Sequence, residues 1–326
     1  MATYKEIHGV KVQSLDSDPT ALEGDVWYNA STSLLKMYTV AAGTWASGGN
    51  LPGNWLSAQG FGSLTAGVIA GGEVGGSDNA EAFHYDGSSW TAAGNINTQR
   101  GGGHEGGYGT QTAGAIVGGH HPGIPTGVSA SHETYDGSSW TEAGDLNTGR
   151  GYHATADNGT TTAALAFSGL DHPAFKTESE EFNGTSWTEG NDLSVGRQYI
   201  GGAGIQTAAL AIGGHSPSVV DSTESYNGTS WTEVNNLNAA RSRVMSGGSQ
   251  TIAVAAGGTT GSYVGNTEQW DGTSWTEVAN ISTARGTGAS AFTAGASDGL
   301  VAGGYPATNA TEEWTSDIAS QTIAFD

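Results

Sequence analysis

Short apolar runs separated by polar, glycine-rich segments recur along the chain, as in TAALAIGG at 207–214 and QTIAVAAGG at 250–258. Apolar runs of this length, bounded by Gly, Asn, Asp and Ser, are typical of β-strands. No segment carries the sustained 3.6-residue period of an amphipathic helix. The pattern therefore predicts an all-β chain.

These runs belong to a longer repeat whose most regular phrase ends in tryptophan. The phrase reads DGSSW at 86–90, NGTSW at 183–187 and DGTSW at 271–275. The tryptophans, spaced 44 to 50 residues apart, are Trp45, Trp90, Trp140, Trp187, Trp231 and Trp275. A period of this length indicates an array of like units. The D-G and N-G pairs predict tight hairpin turns in which both central residues take positive φ.

Other positions recur with the tryptophan. A glycine pair ends the second apolar run, and an aromatic residue ends the third, two residues after a glutamate. The arginines that open the units are Arg100, Arg150, Arg197, Arg241 and Arg285, and Trp55 stands near this place in the first full unit. We expect four-stranded antiparallel meanders, with strands a to d, packed radially about an axis. The tryptophans would plug the space between sheets, and the Arg and Glu residues would form ion pairs.

The number of units is open between seven and six. We favour seven blades, with residues 5–48 forming one of them and QTIAFD (321–326) the outer strand of the last. The alternative is six blades, with the strand around Trp45 closing the C-terminal blade and residues 1–40 forming a β arm. The missing glycine pair near Asn29 supports this alternative. We expect residues 1–20 to be an attachment segment, which could add a strand to the first blade, and residues 21–326 to be the propeller.

Charge narrows the choice of partners. The formal net charge is −22, with 10 Lys and Arg against 32 Asp and Glu, and the repeat uses five of the six arginines. Phosphate binding depends on clustered Lys and Arg, so we expect no nucleic acid partner and no anionic membrane. No apolar run approaches the roughly 20 residues of a membrane helix. MATYKEIHGV lacks a signal-peptide core, and the absence of cysteine excludes disulfides.

The known catalytic motifs are missing. No G-x-S-x-G, P-loop, H-E-x-x-H or Rossmann fingerprint occurs. D-G-[ST]-S-W differs in spacing from the Asp box of sialidases, whose central arginine cluster is also missing because the repeat uses the arginines. Galactose oxidase needs a cysteine that this chain lacks. Glu180 and Glu181 are strand neighbours that face opposite sides. We therefore predict no enzyme, no cofactor and no metal.

The loops between strands b and c differ from copy to copy, whereas the other turns are nearly uniform. In a propeller these loops share one face with the d–a crossovers, and variable loops on a rigid scaffold are where binding residues concentrate. The histidines soon after strand b would gather on this face, as metal ligands or as ordinary loop residues. The predicted binding residues are His120, His121, Ile124, His172, Phe175, Lys176, His215, Tyr263 and Tyr305.

The order of arginine, glycine pair, aromatic residue and tryptophan over about 45–50 residues resembles the kelch repeats of a β-propeller. The phrases MATYKEIHGVKVQSLDSDP, EGDVWYN, WASGGNL, QTAALAIGG and TEEW further resemble kelch-like virion proteins of tailed, especially marine, bacteriophages. EGDVWYNASTSLLKMY is similar to a hairpin with an Asn/Ser turn in phage fibre proteins.

This resemblance implies a tail fibre or capsid-associated propeller, made in the cytoplasm of a bacterial host and carried on the particle surface. Its N-terminal segment would contact other virion proteins, and its loop face would contact a host-surface glycan or protein. The alternatives are a purely structural decoration module and a glycan-active enzyme.

Overall fold

The computed structural model of the 326-residue chain describes residues 13–17, 26–102, 105–121, 123, 127–316 and 318–322. Every regular element in these residues is a β-strand. The chain forms two compact units, Gly43–Thr315 and, separately, Met1–Ala42 with Ser316–Asp326. These two units divide at residues 42 and 43, and the predicted attachment segment at residues 1–20 stays a prediction. Across the described ranges, no helix is long and apolar enough to cross a membrane.

The larger unit contains six four-stranded sheets, whose strands are numbered in chain order. The first three blades consist of β5 (Gln59–Ser63), β6 (Ala66–Ala70), β9 (Ala82–Tyr85) and β10 (Trp90–Ala92); β11 (Gly107–Thr110), β12 (Ala113–Val117), β13 (His132–Tyr135) and β14 (Trp140–Glu142); and β15 (Ala154–Thr155), β16 (Ala164–Phe167), β19 (Ser179–Phe182) and β20 (Trp187–Glu189). Blades four to six consist of β21 (Gly201–Ile205), β22 (Ala208–Ile212), β23 (Thr223–Tyr226) and β24 (Trp231–Val234); β25 (Met245–Gly248), β26 (Ala253–Ala256), β27 (Thr267–Trp270) and β28 (Trp275–Val278); and β29 (Ala289–Phe292), β30 (Asp298–Ala302), β31 (Thr311–Thr315) and β4 (Thr44–Ser47). Short hairpins in two b–c loops are formed by β7 (Glu73–Val74) with β8 (Ser77–Asp78), and by β17 (Leu170–Asp171) with β18 (Ala174–Phe175).

The inner strands of successive blades pack against one another in a closed ring that runs from β5 through β11, β15, β21, β25 and β29 back to β5. This arrangement confirms the prediction of an all-β propeller with four-stranded antiparallel blades. The last blade is completed by β4, in which Trp45 lies opposite Trp314. The propeller described here has six blades, so the preference for seven is wrong and the six-blade alternative is correct.

The smaller unit shows why a seventh blade does not form. Its sheet has the order β1 (Gln13–Leu15), β2 (Val26–Asn29), β3 (Leu34–Val40), β32 (Ile318–Thr322). β1 runs parallel to β2, which a meander does not allow. The strand beside β3 is β32, because β4 at 44–47, which the seven-blade prediction included in the blade at 5–48, is hydrogen-bonded in the sixth blade. QTIAFD contributes only its first two residues to β32, and residues 323–326 lie outside the described part of the chain.

The tryptophans lie at the boundaries between blades. Each lies in the first two residues of the outer strand of its blade, and its indole reaches back to the preceding blade. Trp275 Nε1 donates to Thr223 Oγ1 at 3.1 Å, and Trp90 Nε1 donates to Thr311 Oγ1 at 2.9 Å. A buried aromatic side chain contributes roughly 2–3 kcal/mol. The repeated tryptophan therefore joins neighbouring blades.

The turn before each tryptophan differs from the predicted tight turn. Tyr85 pairs with Trp90, so residues 86–89 form the loop. Gly87 has φ of 91°. The Asp86 carboxylate accepts the backbone N–H groups of Ser88 and Ser89 at 2.9 and 2.8 Å. The loop is an Asx-stabilised turn in which the aspartate or asparagine caps backbone donors.

The repeated arginine and glutamate form buried ion pairs. In the fourth blade, Arg197 Nη2 lies 2.8 Å from Glu224 Oε1, and Arg197 Nη1 donates to the carbonyls of Gly213 and Ser222. The other glutamate oxygen accepts the N–H of Ser194 at 2.9 Å. The corresponding pairs are Arg100–Glu133, Arg150–Glu180, Arg241–Glu268 and Arg285–Glu312. Each glutamate lies on strand c and thus hydrogen-bonds that strand to the crossover that arrives from the preceding blade.

The first blade replaces this network with an apolar one. Trp55 stands at the arginine position and Phe83 at the glutamate position, and their rings are 5.3 Å apart. Pro52 stands where Ser194 lies in the fourth blade. Because proline has no N–H group, it needs no glutamate acceptor. At these three positions the first blade lacks the cation, the carboxylate and the N–H donor together, so the three substitutions compensate one another.

A long turn closes one end of the propeller axis. Between β15 and β16, the Asp157 carboxylate accepts the N–H groups of Gly204 and Gly248 at 2.9 and 3.1 Å. Asn158 Nδ2 donates to the carbonyl of Gly248 at 2.9 Å. Burial raises the pKa of the Asp157 carboxyl to about 7, against the opposing effect of these donors. One turn thus connects the third, fourth and fifth blades.

Candidate functional site

The opposite face carries the b–c loops and the d–a crossovers side by side. In each blade, the residue after the repeat arginine forms a β-bridge with the residue after the glycine pair, as in Gln198 with His215 and Gly286 with Tyr305. The bridge places both segments on one face. This is the face on which the sequence predicted variable loops.

The next residue of each crossover adopts a left-handed backbone conformation. These six residues have φ between 49° and 61°, and they are Ser57, Gly102, Tyr152, Tyr199, Arg243 and Thr287. Non-glycine residues rarely adopt this conformation, and they concentrate at functional sites. Five of the six residues are not glycine, although glycine would fit without strain.

Backbone hydrogen bonds connect these residues around the axis. The Tyr199 N–H donates to the Tyr152 carbonyl at 2.8 Å, and the Arg243 N–H donates to the Tyr199 carbonyl at 2.8 Å. Similar bonds of 2.8 to 3.2 Å link the other neighbours from Gly102 through to Ser57. We call these six residues the axial ring. The ring follows the propeller axis on the loop face, so its residues lie at the centre of that face.

A pocket of about 340 Å³ lies on the axial ring. Tyrosine side chains dominate its wall, joined by one arginine and one glutamate. Its lining residues are Leu56, Ser57, Glu73, Tyr152, Tyr199, Arg243, Tyr263, Thr287 and Tyr305. Concave sites with aromatic walls and a few converging polar groups are typical ligand sites. A larger cavity of about 530 Å³, between the outer strands of the second and third blades, is built mainly from turn residues of the repeat.

The pocket side chains are arranged in contacting pairs. The rings of Tyr152 and Tyr199 are 4.4 Å apart, and those of Tyr263 and Tyr305 are 5.2 Å apart. The Arg243 guanidinium carbon lies 3.5 Å from the centre of the Tyr199 ring. This cation–π contact fixes the arginine while leaving its edge able to donate hydrogen bonds.

Burial also changes the acid–base behaviour of the pocket. It raises the pKa of the Glu73 carboxyl, with a further contribution from the Asp78 carboxylate. Burial likewise raises the pKa of the Tyr152 and Tyr263 hydroxyls. Tyr152 and Tyr263 are therefore neutral hydrogen-bonding groups at physiological pH, beside a Glu73 carboxyl that is more easily protonated than usual.

Two of the predicted binding residues, Tyr263 and Tyr305, line this pocket. Phe175 and His215 form a further aromatic contact on this face, with ring centres 5.9 Å apart. His215 lines a neighbouring groove.

The remaining predicted residues lie apart from the pocket lining. His120 Nδ1 is 3.3 Å from Asp78 Oδ2, and Lys176 lies 3.7 Å from Asp171 and 3.6 Å from Glu178. His121 and His172 lie in the loops, and His172 is exposed. Ile124 falls outside the described residues. Among the described side chains, no three His, Asp or Glu come together as a metal-binding group.

Sequence reasoning missed Tyr152, Tyr199 and Arg243. It looked for variation in the b–c loops and treated the crossovers as part of the regular repeat. The signal was nevertheless present, because the position two residues after the repeat arginine reads Gly, Tyr, Tyr, Arg and Thr in successive copies. This variable position in an otherwise regular repeat is the signal that could have identified the residues at the centre of the loop face.

Comparison with known proteins supports the fold. No family model and no curated protein matches the sequence. Among solved structures, the chain is similar to the structure of YjhT, with 15% identity and a TM-score of 0.65. The match covers 86% of this chain and 97% of YjhT. At this identity, the likeness shows the propeller fold alone.

The likeness to YjhT overturns the ground on which the chain was predicted not to be an enzyme. That prediction relied on a repeat scaffold without known catalytic motifs. A fold such as the propeller shared with YjhT hosts many functions, catalysis among them, in sites built from its loops. The scaffold therefore gives no reason to exclude an enzyme, and the axial pocket has to be judged by its own residues.

Proposed function

We propose that this protein is a virion component of a tailed bacteriophage whose propeller binds a saccharide of the host surface in the axial pocket. The observation that carries the proposal is the axial ring, which holds two tyrosines and an arginine in a strained backbone conformation. A left-handed conformation costs a non-glycine residue roughly 1–2 kcal/mol. Such strain at the centre of a variable face favours a binding role over a purely structural one.

The chemistry of the pocket suits a sugar ring. Tyrosine presents an apolar face and a polar edge, which match the C–H and hydroxyl groups of a pyranose. Arg243 supplies fixed donors, and Glu73 supplies acceptors or, when protonated, a donor. The clustering of these groups within about 340 Å³ fits a small ligand unit.

The virion part of the proposal rests on the phrases at the N-terminus and within the repeat. The N-terminal segment would attach the protein to other virion proteins and leave the loop face outward. A purely structural decoration module remains the competing outcome. Immunogold labelling of intact particles, followed by adsorption assays in the presence of excess purified protein, separates the two. Labelled particles whose adsorption is unaffected by the protein would favour the decoration module.

A glycan array of bacterial surface saccharides tests binding directly. Tyr199→Gly is the sharpest variant, because Gly102 already occupies the same ring position in the second blade. We expect it to lose binding while keeping the fold, and His172→Ala, an exposed change on the same face, to bind like the wild type. Binding that survives Tyr199→Gly would exclude the axial pocket.

Glycan cleavage is a second candidate function, favoured by the raised pKa of the Glu73 carboxyl at the pocket wall. A protonated glutamate can donate its proton to the leaving glycosidic oxygen; after the leaving group departs, water adds to the anomeric carbon and returns a proton to the same glutamate. Incubating array hits with the protein and with Glu73→Gln tests this role. New reducing ends with the wild type only would support cleavage, and intact saccharides with both would exclude it.

A further inference from the structure

We infer that the ligand is an oligosaccharide of at least two units, with its terminal unit on the axis and the next unit above the fourth and fifth blades. The inference rests on the proposed function and adds the length and direction of the ligand. It follows from a groove that continues the axial pocket outward.

This radial groove has a volume of about 460 Å³ and shares Tyr199 and Arg243 with the axial pocket. Its outer walls come from two neighbouring blades. Gln198, His215 and Val219 line one side, and Thr259, Thr260 and Gly261 line the other. Because two residues belong to both cavities, a ligand in one meets the wall of the other.

The floor of the axial pocket determines which part of a chain can occupy it. Backbone hydrogen bonds link the axial ring from Gly102 to Ser57 around the axis beneath the pocket, and further along the inner strands the buried Glu105 carboxylate accepts the Ser290 hydroxyl at 2.7 Å, which joins the second and sixth blades. A sugar unit seated there cannot continue downward, so it is best placed as a chain end. The radial groove gives the following unit a path across the loop face.

Arg243 is suited to contact both units. Its guanidinium carbon lies over the Tyr199 ring, 3.5 Å from the ring centre. The other five arginines all form buried ion pairs with glutamates. The planar guanidinium group of arginine carries five N–H donors. Because one face of the Arg243 guanidinium stacks on Tyr199, its N–H edges can donate hydrogen bonds to sugar oxygens in the axial pocket and in the radial groove.

The outer end of the groove also carries aromatic surface. Phe175, from the hairpin of the third blade, packs against His215 with ring centres 5.9 Å apart. These are two of the residues that the sequence identified in the variable loops. Their position gives the loop variation a role in selecting the second sugar unit.

Calorimetry with two defined series tests the inference. The probes are glucose, maltose and maltotriose, and galacturonic acid with its α-1,4-linked dimer and trimer. We expect at least one series to gain about tenfold or more in affinity from one unit to two, which corresponds to 1.4 kcal/mol. The acidic series would gain more if Arg243 pairs with a carboxylate.

A bulky side chain in the groove provides the matched variant. Thr260 is exposed and lines the groove, so Thr260→Trp should remove the gain for the second unit and leave single-unit binding unchanged. Ser262→Trp, two residues away and outside the lining, is the control and should retain the gain. Equal affinity for one and two units, or an unchanged gain in Thr260→Trp, would overturn the inference. The axial pocket is tested separately, by the loss of array binding expected for Tyr199→Gly. If neither probe series binds, the inference is overturned, and if array binding is absent as well, the proposed function fails with it.

Discussion

The first blade predicts how the buried ion pairs of the other blades can be replaced. In the fourth blade, Glu224→Phe would leave the Arg197 cation without its carboxylate, and the side chains of both residues are at most 2% exposed. Breaking a buried pair by removing one partner costs about 3–5 kcal/mol. The lost acceptor for the Ser194 N–H adds about 1 kcal/mol. The total approaches the full stability of an ordinary domain, about 5–15 kcal/mol.

The triple variant Ser194→Pro, Arg197→Trp, Glu224→Phe copies the first blade completely. It removes the cation, the carboxylate and the N–H group together, so no charge remains buried and the net charge is unchanged. The carbonyls of Gly213 and Ser222 lose the arginine donor, at about 1 kcal/mol each. The new aromatic pair offsets about 0.5–1.5 kcal/mol of this cost. We expect the triple variant to lie within about 2 kcal/mol of the wild type.

Urea unfolding followed by circular dichroism measures both variants against the wild type. The expected order of stability is wild type, triple variant and then Glu224→Phe, with several kcal/mol separating the last two. A triple variant no more stable than Glu224→Phe would refute the idea that the three residues compensate as a set. A cost below about 1 kcal/mol for Glu224→Phe would refute the assigned importance of the ion pair.

Three further predictions concern the axis and the blade boundaries. At the axial ring, Tyr199→Gly should be more stable than Tyr199→Ala by about 0.5–1 kcal/mol, because only glycine relieves the left-handed strain; equal unfolding midpoints would contradict this. The raised pKa of Asp157 means that this carboxyl contributes most stability below pH 4, and that the contribution is lost as the pH rises through about 7. Unfolding at pH 5 and pH 8 should therefore show the advantage of the wild type over Asp157→Asn shrinking by about 2–3 kcal/mol, and a constant difference would exclude this titration. Trp275→Ala should lower the free energy of unfolding by about 3–5 kcal/mol in a urea titration, whereas a loss under 1 kcal/mol would contradict its role between blades.

Much of the fold could be predicted because the repeat fixes both strand order and blade packing. Periodic glycine pairs, arginines and tryptophans indicated the meander, its buried ion pairs and the contacts between blades. The number of blades could not be read in the same way, since β4 pairs with β31 across most of the chain length. The pairing of a strand with a distant partner depends on long-range closure, which a local pattern does not encode.

The candidate site was predictable only in part. Variation in the b–c loops identified Tyr263 and Tyr305, which line the pocket. Tyr152 and Arg243 stand in crossovers whose left-handed backbone is imposed by the hydrogen bonds of neighbouring blades. Local sequence gives no reason for a tyrosine or an arginine to adopt that conformation. The position of Tyr152 and Arg243 side by side in the axial pocket is therefore seen only in the folded propeller.

A crystal structure of the protein with the best-binding saccharide from the array tests the central claim most directly. We predict a sugar ring against Tyr199, Tyr263 and Tyr305, with Arg243 donating hydrogen bonds to its oxygens. A saccharide bound on another surface, with the axial pocket unchanged and filled by water, would contradict the account.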